Sequence, residues 1–183
     1  MLRDNGLHYR SAEEIRSFQE ARLHEAIDYA YTNSAFYREL FDSCKIRPAD
    51  IRTIEDLRRL PVTTKQDIQL RNKDFLCVDS SQIVDYVTTS GTLGEPVVFA
   101  LTENDLDRLG YNELSSFTMA GCSRNDIMQL MTTIDRRFMA GLAYWLGARA
   151  LGMGVIRVGN GIPELQWNTI NSIHPTVCMC VPS

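Results

Sequence analysis

The sequence lacks the features that mark several large classes of protein. No apolar run in its 183 residues approaches the roughly 18 residues that a membrane-spanning helix needs. The first residues, M-L-R-D-N-G, lack the apolar core of a signal peptide. Basic residues are not in excess, since 19 Lys and Arg stand against 23 Asp and Glu for a net charge of −4. Nucleic-acid-binding domains normally present a basic face, so we expect neither a nucleic acid nor a membrane as partner.

The spacing of the cysteines does not indicate a disulfide framework. The five cysteines are odd in number and scattered, which is typical of reduced thiols in a cytoplasmic protein. Cys178 and Cys180 lie two apart in a predicted strand, so both face the same side. No histidine lies at ligand spacing from them. We therefore predict both as buried small apolar residues, with no metal site held by the protein.

The common nucleotide-binding motifs are missing. The sequence contains no G-x-x-x-x-G-K-[ST], which excludes the usual loop of nucleotide triphosphatases. Gly152-Met-Gly154 and Gly159-Asn-Gly161 lack the third glycine of a dinucleotide fingerprint, and the first leads from a predicted helix into a strand. Neither pair of glycines therefore indicates a dinucleotide site.

The first part of the chain, residues 1–80, is predicted to be a helical N-terminal cap region. Ser11 and Glu14 have the spacing of a capping box, and apolar residues recur behind them at helical spacing. A later helix is predicted from Thr53, with Ile54, Leu57 and Leu60 packing inward before Pro61.

The second part, residues 81–183, alternates between strand and helix patterns. Thr102 and Asp105 have capping-box spacing and predict the start of a helix. The largely apolar residues 127–132 predict a strand that is covered on both faces. Residues 137–151 predict a helix that ends at Gly152. Pro163 predicts the first turn of the next helix. Such alternation predicts an α/β fold, with a β/α layer built on a mainly parallel sheet.

Residues 86–96, Y-V-T-T-S-G-T-L-G-E-P, join two predicted strands through hydroxyl and glycine residues. Glycines let backbone N–H groups point inward, and hydroxyls add donors, so the loop is a candidate anion cradle. The candidate phosphate-binding residues are Thr88, Thr89, Ser90, Gly91, Thr92 and Gly94. The same composition is also that of an ordinary β-turn, so both interpretations stay open at this point.

The motif T-S-G-T-L-G-E-P resembles T-S-G-T-T-G-K-P, the phosphate-binding signature of adenylate-forming enzymes. Those enzymes include acyl-coenzyme A synthetases, luciferases and peptide-synthetase adenylation domains. Three flanking stretches resemble the phenylacetate–coenzyme A ligase branch, which also holds synthetases that adenylylate a deazaflavin coenzyme. These stretches are F-Y-R at 36–38, L-P-V-T-T-K-Q-D at 60–67, and H-P-T through V-P-S at 174–183. The resemblance runs from about residue 13 to residue 183.

The resemblance implies a reaction and its cofactors. A carboxylate and ATP would give an acyl-adenylate and pyrophosphate, and the acyl group would pass to coenzyme A. Mg²⁺ would bridge the phosphates, and the loop would hold them. The sequence departs from the signature at Leu93 and Glu95. Since Glu in place of Lys changes the local charge by two units, either Glu95 faces solvent or the loop binds triphosphate weakly.

The resemblance also suggests an acyl pocket. In the resembled branch a glycine- and aromatic-rich stretch helps to line that pocket, and Phe138 and Gly141 match it, whereas residues 134–137 do not. Phe138 could equally be an ordinary core residue of the predicted helix rather than part of a pocket wall. Arg136 and Arg137 are interpreted as a solvated helix start rather than as contacts to an acidic substrate.

Members of the resembled family are more than twice as long as this chain. This sequence has no counterpart of three parts of the family's active site: the nucleotide-base pocket, the Mg²⁺-binding acid, and the catalytic Lys of the mobile C-terminal domain. We therefore predict no catalytic residue in this chain. We expect an N-terminal fragment of a ligase that is inactive alone. The alternatives are a non-catalytic phosphate- or nucleotide-binding module, or a fragment that dimerises through exposed apolar surface. Aryl acetates, other aryl acids and the deazaflavin coenzyme are the candidate acids.

Overall fold

The computed structural model describes residues 9–89 and 95–181. The chain divides into two compact units, Met1–Asp79 and Ser80–Ser183. Each unit has its own cluster of buried apolar side chains. Among the described residues, none of the helices is both long enough and apolar enough to cross a bilayer.

The first unit is helical. Its α-helices are α1 (Ala12–Asn33), α2 (Ala35–Ser43) and α3 (Lys65–Leu70), and short 3-10 helices lie at Pro48–Asp50, Ile54–Arg59 and Asn72–Phe75. The predicted capping box is confirmed, because the Glu14 carboxylate accepts from the Ser11 backbone N–H at 2.9 Å and the Ser11 hydroxyl accepts from the Glu14 N–H. The sequence therefore marks the start of α1 correctly.

A small apolar core holds the first unit together. The buried side chains are Ile27, Phe41, Ile46 and Ile51, with Leu60 packed against them. The inward packing predicted for Ile54 and Leu57 is wrong, since these side chains are 37% and 38% exposed. The segment is a short 3-10 helix, and Leu60, the residue that follows it, is the one of the three that packs against the buried cluster.

The second unit has the predicted α/β architecture. Its elements are β1 (Ile83–Thr88), β2 (Val98–Thr102), α4 (Glu103–Met119), β3 (Ile127–Leu130), α5 (Met139–Leu151), β4 (Gly154–Arg157), α6 (Pro163–Ile173) and β5 (Val177–Met179). Strands β1 and β2 pair antiparallel, with Thr88 opposite Val98. The described parallel strands form a sheet in the order β4-β3-β5. The mainly parallel sheet is therefore confirmed.

Local signals set most helix boundaries in this unit. The Thr102–Asp105 capping box starts α4, Gly152 ends α5 with φ of 87°, and Pro163 opens α6. Helix α5 begins at Met139, later than the predicted residue 137. Arg136 and Arg137 have positive φ angles of 57° and 61°, which cannot continue a right-handed helix.

The parallel sheet is covered on both faces. Met128 and Leu130 of β3 are fully buried in a core with Phe117 of α4 and Ala148 of α5. Gln129 lies between them in the strand, so its side chain points to the opposite face. There its amide nitrogen donates to the side-chain oxygen of Gln166 in α6 at 2.8 Å. The predicted coverage of this strand on both faces is therefore confirmed.

Candidate functional site

The candidate phosphate loop leaves the sheet through a hydrogen-bonded neck. The Thr89 N–H donates to the Val97 carbonyl at 3.0 Å, and the Val97 N–H donates to the Thr89 hydroxyl oxygen at 3.0 Å. Beside them, the Thr88 N–H donates to the Arg137 carbonyl at 3.0 Å. The other candidate phosphate ligands lie outside the described residues, namely Ser90, Gly91, Thr92 and Gly94.

These bonds limit what the neck can offer an anion. The backbone N–H groups of Thr88 and Thr89 are already used within the fold. The Thr89 hydroxyl accepts one bond, so its own hydrogen can still be donated to a phosphate oxygen, and its side chain is exposed. Glu95, on the far side of the loop, is also exposed. In the described part of the neck, the Thr89 hydroxyl is thus the group best suited to meet a phosphate.

A cavity of about 830 Å³ lies beyond the carboxyl ends of β3 and β5, against α6. This is the edge of a parallel sheet at which ligands bind in open α/β folds. The wall includes Phe138, Ile162, Trp167, Ile170 and Val181. Among the described residues that line the cavity, none is Asp, Glu, Lys or Arg. The cavity therefore suits an uncharged, apolar group.

Phe138 and Gly141, the two predicted pocket residues, have different positions. Phe138 is the residue before α5, lies on the cavity wall and is 38% exposed, so it is not helix core. Gly141 is buried within α5 and faces the loop that follows β3. A Cβ added at Gly141 would lie 1.8 Å from the Thr133 carbonyl oxygen. Gly141 thus permits α5 to pack against the loop, and that loop forms part of the cavity wall.

One hydrogen bond joins strand β1 to the segment that precedes the cavity wall. Thr88 is the last residue of β1, and Arg137, whose carbonyl it contacts, directly precedes Phe138. The strand that leads into the loop and the segment that leads into the cavity wall are therefore adjacent.

Sequence reasoning missed a buried pair of amides behind the cavity. The Gln129 amide nitrogen donates to Gln166, and the Gln166 amide nitrogen donates to the Gly159 carbonyl at 2.8 Å. This chain of bonds ties β3 to α6 and to the turn before α6, whose residues Asn160 and Gly161 reach the cavity. A polar residue within the apolar strand I-M-Q-L was the available signal.

The prediction that Cys178 and Cys180 are buried is wrong, because both are exposed and line the cavity. Val177 and Met179 pack on the core side, so strand alternation turns the two thiols toward the opposite face. On that face they meet the cavity rather than packed side chains. Within residues 9–89 and 95–181, no group of three or more His, Cys, Asp and Glu residues could hold a metal ion.

Comparison with known proteins identifies the chain's relatives. No protein-family model matches it. It is 34% identical over 174 residues to the phenylacetate-coenzyme A ligase of Escherichia coli K12, covering 94% of this chain and 40% of that protein. The Thermus thermophilus phenylacetate-coenzyme A ligase is 34% identical over 172 residues, covering 93% of this chain and 38% of that protein. The chain is therefore similar to part of the phenylacetate–coenzyme A ligases.

Solved structures show the same fold. A 2-hydroxyisobutyryl-CoA ligase in complex with 2-HIB-AMP and CoA superposes with a TM-score of 0.82 at 23% identity, covering 92% of this chain and 37% of that one. An open conformation of the same ligase, also with 2-HIB-AMP and CoA, has a TM-score of 0.81 at 22% identity. The chain spans about 40% of the length of the curated relatives it matches.

Proposed function

We propose that this chain provides the pyrophosphate-binding loop and the acyl pocket of an ATP-dependent acid–thiol ligase. In the proposed reaction, a carboxylate attacks the α-phosphorus of ATP and forms an acyl-adenylate, and pyrophosphate leaves. The thiol of coenzyme A then takes the acyl group and AMP leaves. The observation that carries the proposal is the Thr88–Arg137 hydrogen bond, which brings the loop-bearing strand against the segment that precedes Phe138.

The residues of this chain act mainly by positioning charge. The hydroxyl groups of Thr88 through Thr92 and the backbone donors that follow Thr89 would hold the departing phosphates, with the Thr89 hydroxyl as the described donor. Mg²⁺, when bound, would offset the negative charge of the phosphates, and no described residue is assigned to it. The neck bonds between Thr89 and Val97 hold the two ends of the loop close together.

The cavity sets the class of acid. Its described wall is uncharged and largely apolar, so a second carboxylate or an ammonium group would lose its hydration there without a partner. An aromatic acyl group can instead pack against Phe138 and Trp167. We therefore propose that the substrate is an aryl acid whose only charged group is the reacting carboxylate.

Binding tests the two halves of the proposal separately. Calorimetric titration with Mg²⁺-pyrophosphate should show binding that Thr92→Val weakens, because the variant keeps the side-chain shape and loses the hydroxyl donor. Thr118→Val is the matched control, since the Thr118 hydroxyl donates to the Leu114 carbonyl within α4. Equal pyrophosphate affinity in the wild-type chain and Thr92→Val would contradict the role of the loop.

A non-hydrolysable aryl-acyl-adenylate analogue tests the cavity. Phe138→Ala should weaken binding of the aryl analogue more than binding of an acetyl-adenylate analogue, because only the aryl group reaches the cavity wall. An unchanged preference between the two analogues would remove Phe138 from the pocket. We also expect the 183-residue polypeptide alone to show no carboxylate-dependent exchange between ATP and pyrophosphate; any such exchange would contradict this expectation.

A further inference from the structure

Three sulfur-bearing side chains line one wall of the cavity. Cys178 and Cys180 point into it from β5 and its extension, and both are exposed. Met131 follows β3 directly and lines the same cavity. The Met131 N–H donates to the Met179 carbonyl at 2.9 Å, which holds Met131 beside the end of β5 where Cys180 lies. Two thiols and a thioether therefore share one small region of the wall.

The backbone geometry distinguishes two possible roles of the two thiols, a disulfide bond and the binding of an ion. Residues two apart on one side of a strand have Cβ atoms about 6.5–7 Å apart, since each residue rises by about 3.3 Å. A disulfide requires a Cβ–Cβ distance of about 3.5–4.5 Å, so Cys178 and Cys180 cannot be joined without distorting β5. A single ion at about 2.3 Å from each sulfur spans the larger gap, because each sulfur needs only to lean toward its neighbour. The arrangement thus favours an ion between the thiols over a bond between them.

The donors around the cavity select the kind of ion. The described lining residues include no His, Asp or Glu, which are the usual additional ligands of Zn²⁺ in a four-coordinate site. Thiolate and thioether sulfurs are soft donors, and among first-row metals this combination favours Cu(I).

We propose that Cys178, Cys180 and Met131 form a binding site for Cu(I). On binding, the two thiols release their protons to solvent, two S–Cu bonds form, and the Met131 thioether adds a third, weaker contact. No electron is transferred, because the ion enters and stays as Cu(I). This inference depends on the cavity wall alone and does not rest on the proposed ligase function.

Anaerobic competition with a coloured Cu(I) chelator tests the site in the whole 183-residue chain. The wild-type chain should take one Cu(I) from the chelator. Cys178→Ser and Cys180→Ser should each lower the affinity by more than the roughly 10- to 100-fold that loss of an outer-shell partner costs at metal sites. Met131→Leu should cause a smaller loss, and Cys122→Ser, at a thiol away from the cavity wall, should cause none. Failure of the wild-type chain to compete, or full binding by Cys178→Ser, would overturn the proposal.

Phenylarsine oxide gives an independent test that does not involve copper. This reagent forms two As–S bonds with a neighbouring pair of thiols and releases water. Mass spectrometry should detect one stable adduct on the wild-type chain and on Cys122→Ser, and none on Cys178→Ser or Cys180→Ser. An adduct that survives in either of the last two variants would place the reactive pair elsewhere and contradict the site. Met131→Leu should keep the adduct while losing Cu(I) affinity, which separates the thioether from the dithiol.

Discussion

Gly141 gives the sharpest test of how the cavity wall is built. A Cβ at this position would lie 1.8 Å from the Thr133 carbonyl oxygen and 2.7 Å from its carbon. Ordinary van der Waals contacts of a Cβ begin near 3.4 Å. Both obstructing atoms belong to the backbone, so the clash cannot be relieved by rotating a side chain. Gly141→Ala must therefore move α5 or the loop after β3 by more than an ångström.

The size of the effect follows from two opposing terms. Alanine is better than glycine inside a helix by about 1 kcal/mol. Overpacking a tight contact typically costs about 1–3 kcal/mol, and a clash this deep with backbone belongs at the upper end or above it. We expect Gly141→Ala to lose about 2 kcal/mol net, which lowers the melting temperature of a chain of this size by about 4–8 °C.

Gly110 of α4 supplies a matched control in the same helix pair. Its added Cβ would meet the Leu146 Cβ at 3.4 Å, an ordinary contact, so Gly110→Ala should keep most of the helix-propensity gain of about 1 kcal/mol. Thermal unfolding followed by circular dichroism compares both variants with the wild-type chain. A Gly141→Ala protein as stable as the wild type would refute the close packing of α5 on the loop. Equal losses in both variants would show that the clash is not the cause.

Three further changes have expected outcomes of their own. Glu95→Lys should tighten pyrophosphate binding to the loop, and added salt should reduce the gain because Glu95 is exposed; equal affinities at low salt would contradict this. The Ser123 backbone N–H and the Thr176 hydroxyl donate to the Asp126 carboxylate and lower its pKa. The ionised carboxylate should add to the free energy of unfolding at pH values above about 3.9, its pKa in the unfolded chain. That addition should be lost as the pH falls through the lower pKa of the folded state. Urea unfolding should therefore show Asp126→Asn less stable than the wild type at pH 7, with the difference shrinking as pH falls below about 3.9; a difference that does not shrink with falling pH would refute this. The Thr132 hydroxyl is buried with no hydrogen-bond partner among the described residues, so Thr132→Val should be as stable as the wild type or up to about 1 kcal/mol more stable in the same assay. A clear loss would show that the hydroxyl has a partner.

The boundaries of the elements follow largely from short-range sequence. The capping box at Thr102, the left-handed glycine at Gly152 and the proline at Pro163 each act on backbone groups within about one turn. Such signals can be recognised without knowing what the helix packs against. Where the local signal was weaker, before α5, the positive φ angles of Arg136 and Arg137 shifted the start of the helix. Nothing in the residue types demanded that conformation.

For the candidate site, the sequence by itself determined the hydroxyl–glycine loop between two strands and the resemblance to adenylate-forming enzymes. It could not determine that Thr88 meets Arg137, that Gly141 packs against the Thr133 carbonyl, or that Cys178 and Cys180 open into a cavity. Strand alternation does show that the two thiols share a face, because it depends only on neighbouring residues. Whether that face is packed or open depends on how α6 crosses the sheet. That crossing is decided by contacts between residues distant in sequence, and only the tertiary structure contains them.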